Sequence, residues 1–189
     1  SVSSGGWAID APCGTSRRGA PATDFDGSGR CYLTGPGSCD SNTDVDGGCT
    51  VLTTGPFSAV DDGGEGDATV SYSIWYDNTG GDTIGSDPGN DIMTVEISTD
   101  AGMNWTNVET LGPSGARSIG GWYVTTFLVS TFHDDSDGTL PTDCRMRFSV
   151  CDENAPSIIE AAVDSFRVEV TLCDAPCSAG QGEGDINGD

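Results

Sequence analysis

The chain has 189 residues, with 30 acidic side chains against 7 arginines and no lysine, which gives a formal net charge of −23. This length allows one domain with a substantial core, or one domain followed by a tail. The scarcity of positive side chains argues against nucleic acid as a partner, because its phosphates are bound by lysine and arginine. No apolar run of about 18 residues is present, so no membrane insertion is expected. The charge instead favours bound divalent cations.

Eight cysteines in an acidic, glycine-rich chain predict disulfides and therefore an oxidising, extracellular location, secreted or on the cell surface. We expect all eight to be oxidised, as four disulfides. The favoured pair is Cys39–Cys49, since it closes an acidic loop. Cys144 and Cys151 lie seven positions apart on a predicted strand, which separates them by over ~20 Å. They are therefore expected to pair elsewhere, and the partners left open are Cys13, Cys31, Cys173 and Cys177.

Apolar and polar side chains alternate in many short runs, and no run has helical periodicity. Glycine, proline and aspartate separate the runs, as is typical of turns between strands. The fold class predicted is an all-β, antiparallel two-sheet jelly-roll sandwich with long acidic loops. In chain order the predicted strands are 7–10, 31–34, 49–54, 68–76, 92–98, 105–110, 121–129, 145–150 and 161–170.

The acidic loop 39–49 carries oxygen-bearing side chains at alternate positions, Asn42, Asp44 and Asp46, followed by two glycines. Calcium takes six to eight oxygen ligands, and this spacing resembles the first half of a calcium loop. The closing glutamate of an EF-hand is absent, because Thr53 stands at that position. We therefore predict a structural Ca²⁺ whose remaining ligands come from elsewhere in the chain. The alternative is a solvated acidic turn.

A second oxygen-rich loop covers residues 77–91. Asp87, Asn90 and Asp91 lie there among glycines, and they are a second candidate calcium site.

Several motifs together resemble a known family. They are Gly29–Thr34, Ser71–Tyr76, Gly120–Tyr123, Arg145–Phe148 and Ala161–Val168. Their order is similar to the MAM-type jelly roll. More closely, it resembles the jelly-roll accessory modules of large secreted bacterial proteins, in which an Asp-Val-Asp-Gly-Gly loop recurs. The resemblance covers roughly residues 1–172, and it implies a structural calcium between the N-terminal loop and the last strand. The ligands implied are Asp44 and Asp46 with Glu160 or Asp164.

Two regions follow from this pattern: a sandwich over residues 1–172 and a tail over residues 173–189. In the tail, residues 173–177 form a short segment with a cysteine at each end, Cys173 and Cys177, predicted to be held by disulfide bonding. A flexible linker follows. The final residues resemble the opening of a dockerin-type calcium repeat, with Asp185, Asn187 and Asp189 at loop positions one, three and five. Because that repeat is cut short, the polypeptide is expected to continue beyond residue 189; the alternative is an acidic end that resembles the repeat by chance.

Catalysis is not expected. His133 is the single histidine, and no nucleophile can be assigned to it as a base. The function predicted is a non-catalytic, calcium-stabilised module of a larger extracellular protein, for attachment, adhesion or structural assembly with other protein modules. The alternative is a carbohydrate-binding, lectin-like module that targets a glycan. For that alternative, Trp122 and Tyr123 are the candidate platform, since strand alternation turns one of the two outward.

Overall fold

The computed structural model describes residues 5–14, 19–36, 43–80, 90–134, 139–153 and 157–172. These residues form β-strands and two short 3-10 helices, Ala116–Ser118 and Val129–Phe132. The strands are β1 Trp7–Asp10, β2 Cys31–Thr34, β3 Gly48–Thr53, β4 Asp67–Gly80, β5 Met93–Ser98, β6 Thr106–Leu111, β7 Tyr123–Leu128, β8 Arg145–Asp152 and β9 Ile158–Thr171. Neither helix is long or apolar enough to cross a bilayer.

The strands pair into two antiparallel sheets. One has five strands in the order β1-β2-β9-β4-β7, and the other has four in the order β3-β8-β5-β6. From β2 to β5 each strand lies in the opposite sheet from the one before it, which is how a jelly roll joins its layers. The predicted all-β, antiparallel two-sheet fold is confirmed.

The core lies between the sheets, because strand alternation turns every second side chain inward. On β8 the inward residues Met146, Phe148 and Val150 are almost fully buried, while their neighbours are only half-buried. The outer face of the five-stranded sheet carries a second, smaller apolar cluster of Cys31, Leu33 and Ala162. That face is therefore covered rather than fully solvated.

The edge formed by β6 and β7 is closed by a polar network around Glu109. The Glu109 carboxylate accepts hydrogen bonds from the Tyr72 hydroxyl at 2.7 Å and from the Thr125 hydroxyl at 2.9 Å. Arg117 completes the network through a salt bridge to the same carboxylate. Burial, followed by the charge of Glu109, raises the pKa of Tyr72 well above its usual range. Tyr72 therefore stays a neutral donor, and the network ties the two sheets together.

The disulfide of the described residues corrects one prediction. Cys49 is bonded to Cys151, and not to Cys39. The two residues stand directly opposite each other on β3 and β8, with 4.0 Å between their Cα atoms. Alternation in the sequence predicts that Cys151 continues a strand, but it does not predict that β3 pairs with that strand. Cys39 lies outside the described residues, and Cys13 is also disulfide-bonded.

The expectation that all eight cysteines are oxidised is also wrong, because Cys31 and Cys144 are free thiols. They cannot reach each other, since Cys31 lies on the outer face of the five-stranded sheet and Cys144 lies in the core. Burial is the main cause that raises the pKa of each thiol to about 12. Both should remain protonated, and therefore unreactive, at neutral pH.

A thiol titration checks this assignment. At pH 8 a thiol reagent should leave Cys31 and Cys144 unlabelled in the native protein, and it should label at least two thiols per chain in denaturant. The stabilisation from burying neutral thiols is complete below the ordinary thiol pKa of 9.0 and is lost as the pH rises through about 12. Rapid native-state labelling of these two positions, identified by peptide mapping, would contradict the assignment.

Candidate cation site and adjoining groove

Residues 19–30, called the arm below, lie across the outer face of the five-stranded sheet. The indole N–H of Trp75 donates to the Gly19 carbonyl at 2.7 Å, and that of Trp122 donates to the Thr23 carbonyl at 3.0 Å. The two indole rings pack edge to face with 5.8 Å between their centroids, and Phe25 adds a third ring at 6.1 Å from Trp122. These contacts bury the second apolar cluster beneath the arm.

Three carboxylates meet where the arm crosses β9. Oxygen atoms of Asp24, Asp26 and Asp164 all lie within 4.8 Å of one another. Asp24 and Asp26 belong to the arm, and Asp164 belongs to the last strand. The Asp164 carboxylate also accepts backbone N–H groups from the arm, Phe25 at 2.7 Å and Asp26 at 3.3 Å. The cluster therefore joins the arm to the sheet.

The hydrogen bonds within this cluster come from neutral donors. Asp24 accepts the backbone N–H of Gly29 at 2.8 Å and the hydroxyl of Ser28 at 3.3 Å. Asp26 accepts the backbone N–H of Ser28 at 2.9 Å, and this bond is the main cause that lowers the pKa of Asp26. The Asp26 side chain is therefore fully ionised at neutral pH. Three hard, anionic oxygen donors fit the chemistry of Ca²⁺.

The residues predicted as ligands of one calcium ion fall into two groups. Asp164 belongs to the cluster just described, whereas Glu160 lies four residues earlier on β9, about 13 Å away along an extended strand. Ca²⁺–oxygen distances are about 2.3–2.6 Å, so these two residues do not share an ion. Near Glu160, the N–H of Val45 donates to the Ile159 carbonyl, which brings the buried Asp44 to this end of β9.

Glu160 faces a second acidic residue rather than Asp164. It stands directly opposite Asp77 on β4, and both carboxylates are buried. Directly opposed like charges destabilise a sheet, and a bound cation would offset their repulsion. The calcium predicted near Asp44, Asp46 and Glu160 therefore stays a prediction. Asn42 lies outside the described residues.

In the second predicted calcium site, Asp91 has an internal structural role. Its carboxylate accepts the backbone N–H of Glu153 at 2.8 Å and the hydroxyl of Ser157 at 2.6 Å. It therefore links Glu153, just after β8, to Ser157, just before β9. Asn90 is exposed, and Asp87 lies outside the described residues.

Trp122 and Tyr123, the predicted ligand platform, are both half-buried and make contacts within the protein. Trp122 lies beneath the arm, as described above. The Tyr123 hydroxyl donates to the Ala116 carbonyl at 2.8 Å, and the Arg117 guanidinium lies 5.3 Å from its ring centroid. The ligand platform therefore stays a prediction.

Beside the carboxylate cluster lies a groove of about 290 Å³ on the outer face of the five-stranded sheet. Sequence reasoning missed it because its residues come from the arm and from three strands. A β-bulge in β9 marks the position of the groove, because Ser165 and Phe166 together stand opposite Tyr72 there. At this bulge Ser165 has a φ of 51°. The lining residues are Phe25, Asp26, Ser71, Tyr72, Ser73, Val124, Ser165 and Arg167.

A second cavity, of about 370 Å³, opens between the two sheets near Tyr32. Its walls are mostly apolar and include Leu52, Phe57 and Phe166. His133 borders neither this cavity nor the groove.

No protein-family model and no curated protein sequence matches the chain. Among solved structures it is similar to the K1 cleaved adhesin domain of Lys-gingipain from Porphyromonas gingivalis W83, at 12% identity and a TM-score of 0.44, over 87% of this chain and 90% of the other. The K3 domain of the same protein gives 14% identity, a TM-score of 0.42 and coverages of 86% and 90%. The structure of TmCBM61 in complex with β-1,4-galactotriose matches at 10% identity and a TM-score of 0.41, over 87% of this chain and 88% of the other. Likeness at this level assigns neither a ligand nor an activity to the chain.

Proposed function

We propose that this chain is a non-catalytic β-sandwich module of a larger extracellular protein, stabilised by calcium and used for attachment or assembly. The observation that carries the calcium part is the cluster of Asp24, Asp26 and Asp164, whose oxygens lie within 4.8 Å of one another. The cluster joins the arm to the last strand. A cation there would hold the arm on the sheet.

The electrostatics support a bound cation. Two like unit charges about 4 Å apart repel by roughly 1 kcal/mol in water and roughly 4 kcal/mol near a protein surface. Three such charges crowd together here, in a chain with a net charge of −23. Three carboxylates offer as many as six oxygens, which approaches the six to eight that Ca²⁺ takes. Water or backbone carbonyls would supply the rest.

The arrangement of the cavities supports attachment rather than catalysis. Covalent catalysis needs a nucleophile within hydrogen-bond reach of a base, and acid–base hydrolysis needs carboxylates that converge on a substrate. Of the two cavities described, the one near Tyr32 is lined mostly by apolar residues and has no carboxylate in its lining, and the groove has one carboxylate, Asp26. A rigid sandwich of this kind presents a surface, and its loops are free to vary.

Calcium removal tests the proposal. Adding EDTA to the calcium-loaded protein should lower the melting temperature, because a ligand that binds only the native state stabilises it by about 2.7 kcal/mol at a hundredfold excess over Kd. Asp24→Asn should abolish this calcium-dependent shift. Differential scanning calorimetry with and without calcium measures both effects.

The matched control is Asp46→Asn, a change of the same kind in the loop where the sequence predicted calcium. If Asp24→Asn removes the calcium effect and Asp46→Asn does not, the ion is at the arm. The reverse pattern would place it in the acidic loop with Asp44 and Glu160. An unchanged melting temperature in EDTA, after prolonged incubation to release any trapped ion, would refute the calcium proposal.

A second candidate function, glycan binding, is favoured by one specific observation. The groove beside the arm combines an exposed ring, Phe25, with charged and hydroxyl side chains. That mixture is common where polyhydroxylated ligands bind, since a sugar ring has both apolar C–H faces and polar edges.

A further inference from the structure

Arg167 differs from the other arginines that the structure describes. Arg30, Arg117, Arg145 and Arg147 each donate a hydrogen bond or form an ion pair within the chain. Among the residues that the structure describes, the Arg167 guanidinium forms neither, although it projects from β9 beside an acidic cluster. It lines the groove, and its donors are therefore available to a ligand.

The other walls of the groove offer complementary chemistry. Phe25 is 44% exposed and Val124 is 59% exposed, so two apolar residues face the solvent there. Ser71 sits opposite Arg167 in the β4–β9 register and adds a hydroxyl to the floor. Asp26 adds a carboxylate that can accept hydrogen bonds. One small groove thus presents apolar contact, cationic donors and an anionic acceptor.

We propose that this groove binds a neutral glycan, with a sugar ring packed on Phe25 and its hydroxyl groups bonded to Arg167, Asp26 and Ser71. The inference rests on the second candidate function above and deepens it; it can hold without the calcium proposal, although the two share Asp26. Sugar hydroxyls both donate and accept, and so they satisfy the guanidinium and the carboxylate together. The volume of about 290 Å³ is just below the usual range of ligand pockets, about 300–1,000 Å³, and suits a short segment of a glycan chain.

The charge of the protein selects a neutral ligand over an acidic one. A net charge of −23 repels polyanions at long range, and Asp26 opposes a carboxylate or sulfate inside the groove. A single unpaired arginine does not offset that repulsion. Uronic-acid and sulfated glycans should therefore bind more weakly than neutral ones.

The test is isothermal titration calorimetry of the full chain with short cello-, manno-, xylo- and galacto-oligosaccharides. Oligogalacturonate serves as the charged counterpart. At least one neutral oligosaccharide should bind. Arg167→Gln should weaken that binding about tenfold, because hydrogen bonds to charged groups are the stronger ones. Ser71→Tyr, which fills the groove, should weaken it at least as much. The matched control is Arg145→Gln, since Arg145 lies on the other sheet and is paired with Asp143.

Melting temperatures of the variants establish that each has folded, and Arg167→Gln should leave the wild-type value unchanged because Arg167 has no partner to lose. Failure of every neutral oligosaccharide to bind the wild type would overturn the proposal. Binding that survives both groove substitutions, or a preference for oligogalacturonate, would overturn it too. The calcium proposal has a separate readout, since EDTA and Asp24→Asn act on the melting temperature and Asp24 does not line the groove.

Discussion

Replacing Cys49 and Cys151 with alanine is expected to lower the free energy of unfolding by about 4 to 5 kcal/mol. The disulfide joins residues 102 positions apart. A cross-link that closes a loop of about 100 residues restricts the unfolded chain by roughly 4.7 kcal/mol in the chain-entropy model. Urea denaturation of the wild type and the double variant, without reductant, measures the difference.

The control for this experiment is Cys31→Ala, which removes a buried thiol without removing a cross-link. Its cost should be on the order of 1 kcal/mol. If the double variant is destabilised no more than this control, the cross-strand disulfide does not stabilise the fold as argued. Peptide mapping of the unreduced protein should independently show Cys49 joined to Cys151.

Phe148→Ala is expected to destabilise the sandwich by about 3 to 5 kcal/mol, the usual cost of removing a buried aromatic ring. Phe148 is 1% exposed and packs edge to face against Tyr72, with 5.2 Å between ring centroids. It also forms part of the wall of the cavity near Tyr32. Its removal would enlarge an existing space, and strands fixed by hydrogen bonds on both sides cannot collapse to fill it.

Phe148→Leu is the matched variant, since it keeps an apolar side chain in place and leaves a smaller void. Its cost should be on the order of 1.5 kcal/mol. Chemical denaturation of both variants gives the comparison. Equal losses would show that the ring's contact with Tyr72, rather than the volume of the void, determines the cost.

The strands were predictable because alternation is a local property. Met93, Val95 and Ile97 alternate in the sequence, and all three are buried on β5. The same rule predicted the inward residues of β8. It could not predict which strands would pair, because register depends on contacts between distant segments. For that reason it missed that Cys49 faces Cys151.

The candidate sites were less predictable for a related reason. Phe25 and Asp164, joined by a hydrogen bond, are 139 positions apart. The sequence pointed to the acidic loop because Asp44 and Asp46 are close in the chain, whereas the cluster described here is close only in space. Trp122 was predicted as a ligand platform because alternation shows that a ring leaves the core. Alternation does not show that an arm from elsewhere covers it.

Phe25 and Asp26 belong both to the arm that the cation would hold and to the wall of the groove. Whatever fastens the arm therefore also assembles half of the ligand surface. If the cation raises the affinity for the glycan, thermodynamic linkage requires the converse. A glycan in the groove would raise the affinity for the cation by the same factor. If both proposals hold, the module would bind its ligand more tightly where calcium is plentiful than where calcium is scarce.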